Sequence, residues 1–137
     1  MTDMEQLGRR AVACSGWRWL PGMALKHGGK LCDGYQGLRG HGEDDDGTIH
    51  LEYATGNQWV RPENRVQCYP DLTDAATLGC LLALVRDAWG EADAAAVREA
   101  NEIGQWWVVR NFGGDYFGEP GKSEAEALVA ALEGASG

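Results

Sequence analysis

A helix start, an apolar stripe and a helix stop coincide between residues 70 and 90, and this agreement constrains the fold more than any other feature of the chain. Asp71 or Thr73 can cap the first turn, and Gly90 can end the last one. Between them, apolar side chains recur at helical spacing, namely Leu78, Leu81, Leu82, Val85, Ala88 and Trp89. The pattern predicts a core helix over residues 74–89 and no catalytic site.

Capping boxes predict two further helices. Thr2-x-x-Glu5 precedes an apolar pattern that predicts a helix over residues 3–14, and Ser123-x-x-Glu126 precedes one that predicts a final helix ending at Gly134. The alanine-rich residues 91–102 are typical of a fourth, more exposed helix.

Alternating and aromatic patterns predict the strands. Trp17 and Trp19 before a Pro-Gly turn indicate a short strand, and two hairpins follow later in the chain. The first hairpin joins residues 48–53 to 58–60 with Gly56-Asn57 in its turn, and the second joins residues 105–112 to 115–118. We therefore expect an α+β fold in which a small antiparallel sheet of hairpins packs against three to four helices.

The length of the chain fits one domain. Its 137 residues, 44% of them hydrophobic and 24% charged, have the composition of an ordinary globular protein. No apolar run is long enough to span a membrane, and the first residues lack the order of a secretory signal. We expect a single intracellular domain over residues 1–137. Its glycine-rich segment at about residues 22–48 favours turns, short hairpins or a mobile loop, as an irregular or inserted segment would.

The cysteines and histidines form no recognisable ligand motif. Cysteine occurs at Cys14, Cys32, Cys68 and Cys80, without a CxxC pair, and we expect all four thiols to be reduced. Zinc could be bound by some of His27, His41, His50, Cys32 and Cys68 if the glycine-rich segment brought them together, but their spacing is not that of a structural zinc site. The sequence predicts no metal, no cofactor and no catalytic residue.

The charge balance favours a basic partner over nucleic acid. Twelve basic residues oppose twenty-one acidic ones, for a net charge of -9, and the acidic excess lies after residue 39. A field of that sign repels phosphate, which disfavours direct nucleic-acid binding unless the basic N-terminal third forms a separate patch. The alternative is that the charge only keeps the protein in solution.

Four consecutive carboxylates, Glu43, Asp44, Asp45 and Asp46, are the strongest candidate binding residues. They do not fit a calcium loop, because Gly42 and Tyr53 would occupy positions that need carboxylates. An arginine-rich partner suits them better, and a merely solvated loop is the alternative. A second candidate, Gly118 to Ser123, fails as a phosphate-binding loop because Tyr116 stands where glycine is required, so Ser123 is better explained as a helix cap.

Six tryptophans are many for so short a chain, and tryptophan is enriched both in small cores and at binding hot spots. Trp89 and at least one of the pair at 106–107 are expected in the core. Trp17, Trp19 and Trp59, with Arg61 beside the last, are the candidates for a surface groove, although a core position is the alternative for each.

Four tracts of the chain, residues 13–14, 17–23, 70–90 and 124–132, together resemble small proteins of tailed phages and prophages, including those with a phage ABA sandwich domain. The glycine-rich residues 24–65 lie outside this resemblance. It implies a phage origin and an α+β sandwich, and it carries over no catalytic residue.

The resemblance and the acidic charge together favour a non-enzymatic module that binds a host protein in the bacterial cytoplasm. An inhibitor of a host defence system, as anti-CRISPR proteins are, is one form of this hypothesis. The alternatives are a small metal-dependent enzyme acting on nucleotides or nucleic acid through Glu43 to Asp46, and a virion or assembly component. The partner and the oligomeric state do not follow from the sequence.

Overall fold

A computed structural model describes residues 3–27, 38–53, 56–60, 68–99, 103–110 and 116–136 of the chain. These residues form three helices and two antiparallel sheets, so the predicted α+β class is confirmed. The chain divides into two compact units, residues 1–12 with 18–80 and residues 13–17 with 81–137. A single domain over residues 1–137 stays a prediction.

The first unit is built around a five-stranded antiparallel sheet in the order β4-β3-β2-β1-β5. Its elements are α1 (Asp3–Val12), β1 (Pro21–His27), β2 (Leu38–Glu43), β3 (Ile49–Tyr53), β4 (Gly56–Val60), β5 (Cys68–Pro70) and the first residues of α2 (Ala75–Trp89). Helix α1 packs against β5, and it approaches so closely that a Cβ on Gly8 would lie 3.0 Å from the carbonyl oxygen of Pro70.

The glycine-rich segment contains regular structure. Strands β1 and β2 fall within it and pair antiparallel, with Ala24 opposite Arg39. The hairpin of β3 and β4 is confirmed, but the residues predicted for its turn, Gly56 and Asn57, lie in β4. The connection falls on residues 54–55, outside the described residues.

The strand predicted around Trp17 and Trp19 is not formed, because β1 begins only at Pro21. The backbone N–H groups of both tryptophans have other partners. Trp17 donates to the carbonyl oxygen of Cys14 at 3.1 Å, and Trp19 donates to a carboxylate oxygen of Glu43 at 2.8 Å. Backbone groups used in this way are not available to a strand ladder.

Asp74, and neither Asp71 nor Thr73, caps the central helix α2. Its carboxylate accepts hydrogen bonds from the backbone N–H of Thr77 at 3.0 Å and from the Thr77 hydroxyl at 2.8 Å. Asp71 and Thr73 form a turn of their own just before the helix.

The buried face of α2 differs in part from the predicted stripe. Leu81 and Val85 are buried as predicted, whereas Ala88 is exposed and Leu82 is only half-buried. Leu84, which the stripe omits, is buried instead. The buried face is therefore rotated slightly from the predicted one.

The second unit contains the rest of α2 and a three-stranded antiparallel sheet in the order β6-β7-β8. Its other elements are β6 (Ala94–Arg98), β7 (Trp106–Arg110), β8 (Tyr116–Gly121) and α3 (Glu124–Ser136). The helix predicted over residues 91–102 is wrong, because β6 occupies this segment and pairs along its full length with β7. Strand pairing overrides the local preference of alanine for helix.

The C-terminal hairpin and helix are confirmed. Strands β7 and β8 pair as expected, and the backbone N–H of Glu126 donates to the hydroxyl of Ser123 at 3.2 Å, which is the predicted cap. Helix α3 continues past Gly134 to Ser136. It also approaches the short segment 13–17, since a Cβ on Gly16 would lie 3.2 Å from Leu132.

Helix α3 and β8 are in close backbone contact at Gly118. This residue has a φ of +76°, and a Cβ there would lie 2.7 Å from the Cα of Ala131. Beside this contact the Trp89 indole donates to the carbonyl oxygen of Ala131 at 2.8 Å and stacks on Phe117 with 4.8 Å between ring centroids. Small size at position 118 is therefore needed for the packing of the second unit.

Since Leu81 is fully buried and Leu82 is only half-buried, their replacement by alanine should have different costs. We expect Leu81→Ala to lower the free energy of unfolding by about 2–5 kcal/mol. Leu82→Ala should cost less, because its side chain loses less buried area. Urea titration followed by circular dichroism measures both values, and equal losses would contradict this buried face.

Two glycine substitutions should have opposite effects. Gly118→Ala meets the backbone of α3 and strains a positive φ, so we expect it to cost at least about 2 kcal/mol of unfolding free energy. Gly79→Ala lies on an exposed part of α2 with nothing within 4 Å of the new Cβ, and it should stabilise by about 0.4–1 kcal/mol. Thermal unfolding of both variants checks the pair; a Gly118→Ala protein as stable as the wild type would refute the close contact.

Candidate functional site

The acidic loop, residues 43–46, lies where β2 turns into β3. Its backbone is held by two hydrogen bonds, from the N–H of Asp44 to the carbonyl oxygen of Thr48 and from the N–H of Gly47 to that of Asp44, both at 2.9 Å. Gly47 has a φ of +90°, which glycine adopts without a steric cost. The loop is thus a closed turn at the end of a hairpin.

Glu43 is part of the fold rather than of the exposed acidic surface. Its side chain is half-buried, and its Oε1 accepts the hydrogen bond from the backbone N–H of Trp19. This bond satisfies a backbone donor of the segment that leads into β1. Of the four predicted carboxylates, Glu43 therefore has a structural role, and Asp44, Asp45 and Asp46 remain as candidates for binding.

Asp44, Asp45 and Asp46 are all exposed. The Oδ1 of Asp46 accepts a hydrogen bond from the backbone N–H of Thr48 at 3.0 Å. This side-chain bond stabilises the turn in addition to its backbone hydrogen bonds. Three adjacent carboxylates are thereby presented to solvent on a turn whose backbone is already ordered. Such an arrangement can attract a basic surface without further ordering of the loop.

The sheet register brings a second predicted site residue close to the acidic loop in the fold. Glu43 pairs with Ile49, and Ile49 pairs with Val60 on β4. The backbone of Trp59, one residue earlier on β4, therefore lies at the same end of the sheet as the acidic loop. Arg61 follows directly in the sequence but lies outside the described residues.

Trp17 and Trp19 are buried, with 8% and 1% of their surfaces exposed. Their indoles are not part of an exposed groove, and the alternative core position is the one that the structure shows. The large apolar area of an indole favours this burial. Trp19 still contributes to the acidic loop through its backbone N–H, a role that its side-chain type could not indicate.

The metal-ligand and thiol candidates are only partly described. Cys32 and the side chains of His27, His41 and His50 lie outside the described part of the structure. Of the described cysteines, Cys14, Cys68 and Cys80 are not joined in disulfides, and Cys68 is buried. Within the described part of the chain, no three His, Cys, Asp or Glu side chains converge in the manner of a metal site.

A polar cluster that sequence reasoning missed joins α1 to β5. Arg9 forms an ion pair with Glu5 at 3.3 Å, and its guanidinium lies 5.2 Å from the centroid of the Tyr69 ring. Burial is the main cause that raises the pKa of Tyr69 above its ordinary value, and the charge of Glu5 and its hydrogen bond to the phenol add to it. Tyr69 therefore stays protonated at neutral pH and acts as a hydrogen-bond donor, not as a base.

Each unit contains a cavity that is not lined by the acidic loop. One, of about 40 Å³, is next to the polar cluster and has room for little more than water. The other is a cleft of about 490 Å³ at the end of α2, lined by Ala83, Arg86, Asp87, Gly90, Glu91 and Ala92. Arg86 is held there by a 2.8 Å hydrogen bond from its Nε to the carbonyl oxygen of Ala94, so it contributes to the turn that leads into β6.

Comparison with known proteins gives no match to a family model, to a curated protein or to a solved structure. Across the described residues, every helix is too short or too polar to cross a membrane.

The structural role of Glu43 predicts a contrast with its neighbour. Glu43→Ala removes the acceptor for the Trp19 N–H, and we expect it to lower the free energy of unfolding by about 1–3 kcal/mol. Asp45→Ala alters only an exposed position and should change it by less than about 0.5 kcal/mol. Urea denaturation of both variants gives the comparison. Equal effects would mean that the Glu43 bond does not contribute to stability.

Proposed function

We propose that this protein is a non-enzymatic binding module of a phage or prophage, which binds a basic surface of a host protein in the bacterial cytoplasm through the acidic loop. The observation that carries the proposal is the presentation of Asp44, Asp45 and Asp46 on a hydrogen-bonded turn. Inhibition of a host defence system is the specific form that the resemblance to small phage proteins suggests.

Electrostatics gives such a loop a definite part in binding. Exposed ion pairs contribute little to affinity in water, so the aspartates would act mainly by steering encounter and by fixing the orientation of the partner. The net charge of -9 adds a long-range attraction for a basic surface. Both effects are screened by salt, with a Debye length of about 8 Å at physiological ionic strength.

Neutralising the loop should slow association with the host partner. In Asp44→Asn/Asp45→Asn two exposed charges are lost, while Glu43 and Asp46 keep their bonds to the backbone. We expect the association rate constant at low salt to fall by about tenfold and its salt dependence to weaken, with little change in dissociation. Stopped-flow mixing with the captured and purified host partner, at low and high sodium chloride, measures these quantities.

A matched control separates local charge from total charge. Asp93→Asn/Glu119→Gln also removes two negative charges, from exposed positions in the second unit. This variant should associate almost as fast as the wild type. If the two double variants behave alike, the net charge and not the acidic loop is responsible. Saturable micromolar binding of Mg²⁺ or Mn²⁺ that Asp44→Asn/Asp45→Asn abolishes would instead favour the metal-dependent enzyme.

A further inference from the structure

The two edges of the five-stranded sheet are protected very differently. At one edge, β5 is covered by α1 and contains Pro70, which has no N–H to offer to another strand. At the other edge lies β4, and β3 is the one described helix or strand that packs extensively against it. Among the described strands, one side of the β4 backbone therefore has no partner.

The sequence of β4 also lacks the features that normally keep an edge strand from pairing. Its five residues, Gly-Asn-Gln-Trp-Val, include no proline and no charged side chain. Its register with β3 is uninterrupted from Tyr53 opposite Gly56 to Ile49 opposite Val60, whereas the β1–β2 and β2–β3 pairs both contain a shift. A regular, uncharged edge of this length is a template for one more strand.

We propose that β4 binds an extended, basic segment of a partner protein, which joins the sheet as a sixth strand. This inference rests on the proposed function and specifies the partner: main-chain hydrogen bonds to β4 would provide affinity, and basic side chains would select the segment. In an antiparallel ladder, alternate residues of an edge strand direct their N–H and C=O groups outward, so β4 offers two or three such residues.

The position of the acidic loop explains why the segment should be basic. The loop lies at the Val60 end of β4, because Glu43, Ile49 and Val60 are aligned across the sheet. Strands are spaced about 4.8 Å apart, so an added strand lies about 10 Å from β3. This distance is comparable with the Debye length. Lysine or arginine at that end of the segment would therefore interact with Asp44, Asp45 and Asp46.

A second copy of the chain is a poorer occupant of the same edge. Each copy carries a net charge of -9, and β4 itself contains no basic residue. Pairing of two β4 strands would bring two negatively charged chains together without a compensating cation in the added strand. The charge thus favours a basic partner over self-association.

Synthetic peptides can separate strand addition from simple charge attraction. The probe is a ten-residue peptide of valine and threonine with three lysines at one end. A second peptide of the same sequence carries N-methyl groups on consecutive central residues, which removes N–H donors from both edges of the extended peptide. Its charge is unchanged, and we expect it to bind at least about tenfold more weakly than the parent because it cannot complete a strand ladder with β4.

Binding is measured by isothermal titration with the full chain, and amide hydrogen exchange followed by NMR locates it. We expect the parent peptide to protect alternate amides of β4 and none of β5. The Asp44→Asn/Asp45→Asn variant should bind the peptide more weakly than Asp93→Asn/Glu119→Gln. These three results together would support a basic sixth strand.

Other outcomes distinguish the inference from the proposed function. If the methylated peptide binds like the parent while the loop variant binds weakly, strand addition is overturned and the electrostatic role of the loop stands. If the methylated peptide fails to bind but the loop variant binds the parent normally, strand addition stands and the loop does not recruit the segment. A dimer that protects β4 without peptide would assign the edge to a second copy, and no binding at millimolar peptide would overturn the inference.

Discussion

The buried hydroxyl of Thr77 connects the start of the central helix to the large sheet, and the arrangement of the first unit depends on it. It accepts a hydrogen bond from the N–H of Ala24 at 2.8 Å and donates one to the carboxylate of Asp74 at 2.8 Å. The carbonyl oxygen of Ala24 is satisfied by the N–H of Asp71. Both backbone groups of one β1 residue are thus bonded by the segment that begins α2, away from water, where an unpaired group would be costly.

The sequence predicted correctly those helices and strands in which every local signal favours the same secondary structure. Helices α1, α2 and α3 and the hairpin of β7 and β8 have caps, apolar spacing and alternation that agree. The prediction failed where local preference and pairing conflict. Residues 94–98 include three consecutive alanines, which favour helix, yet these residues form strand β6 and pair with β7. Pairing with a neighbouring strand leaves no trace in the local pattern of the alanine-rich segment itself.

The candidate site was predictable only in part, for a related reason. A run of acidic residues indicates an exposed loop, and Asp44, Asp45 and Asp46 are exposed. Nothing in that run distinguishes Glu43, whose carboxylate is bound by the backbone of a residue 24 positions earlier. Similarly, an indole is equally suited to a core and to an interface, so the burial of Trp19 follows from tertiary packing and not from its neighbours in sequence.

The division of the chain into two units affects the order in which they can fold during translation. The second unit includes residues 13–17 near the start of the chain as well as residues 81–137, and α3 packs close to Gly16. During translation the early segment therefore leaves the ribosome long before the helix that packs against it exists. All residues of the first unit, by contrast, are made once Cys80 has been added. The large sheet can thus form first, and the second unit can be completed only after α3 has been synthesised.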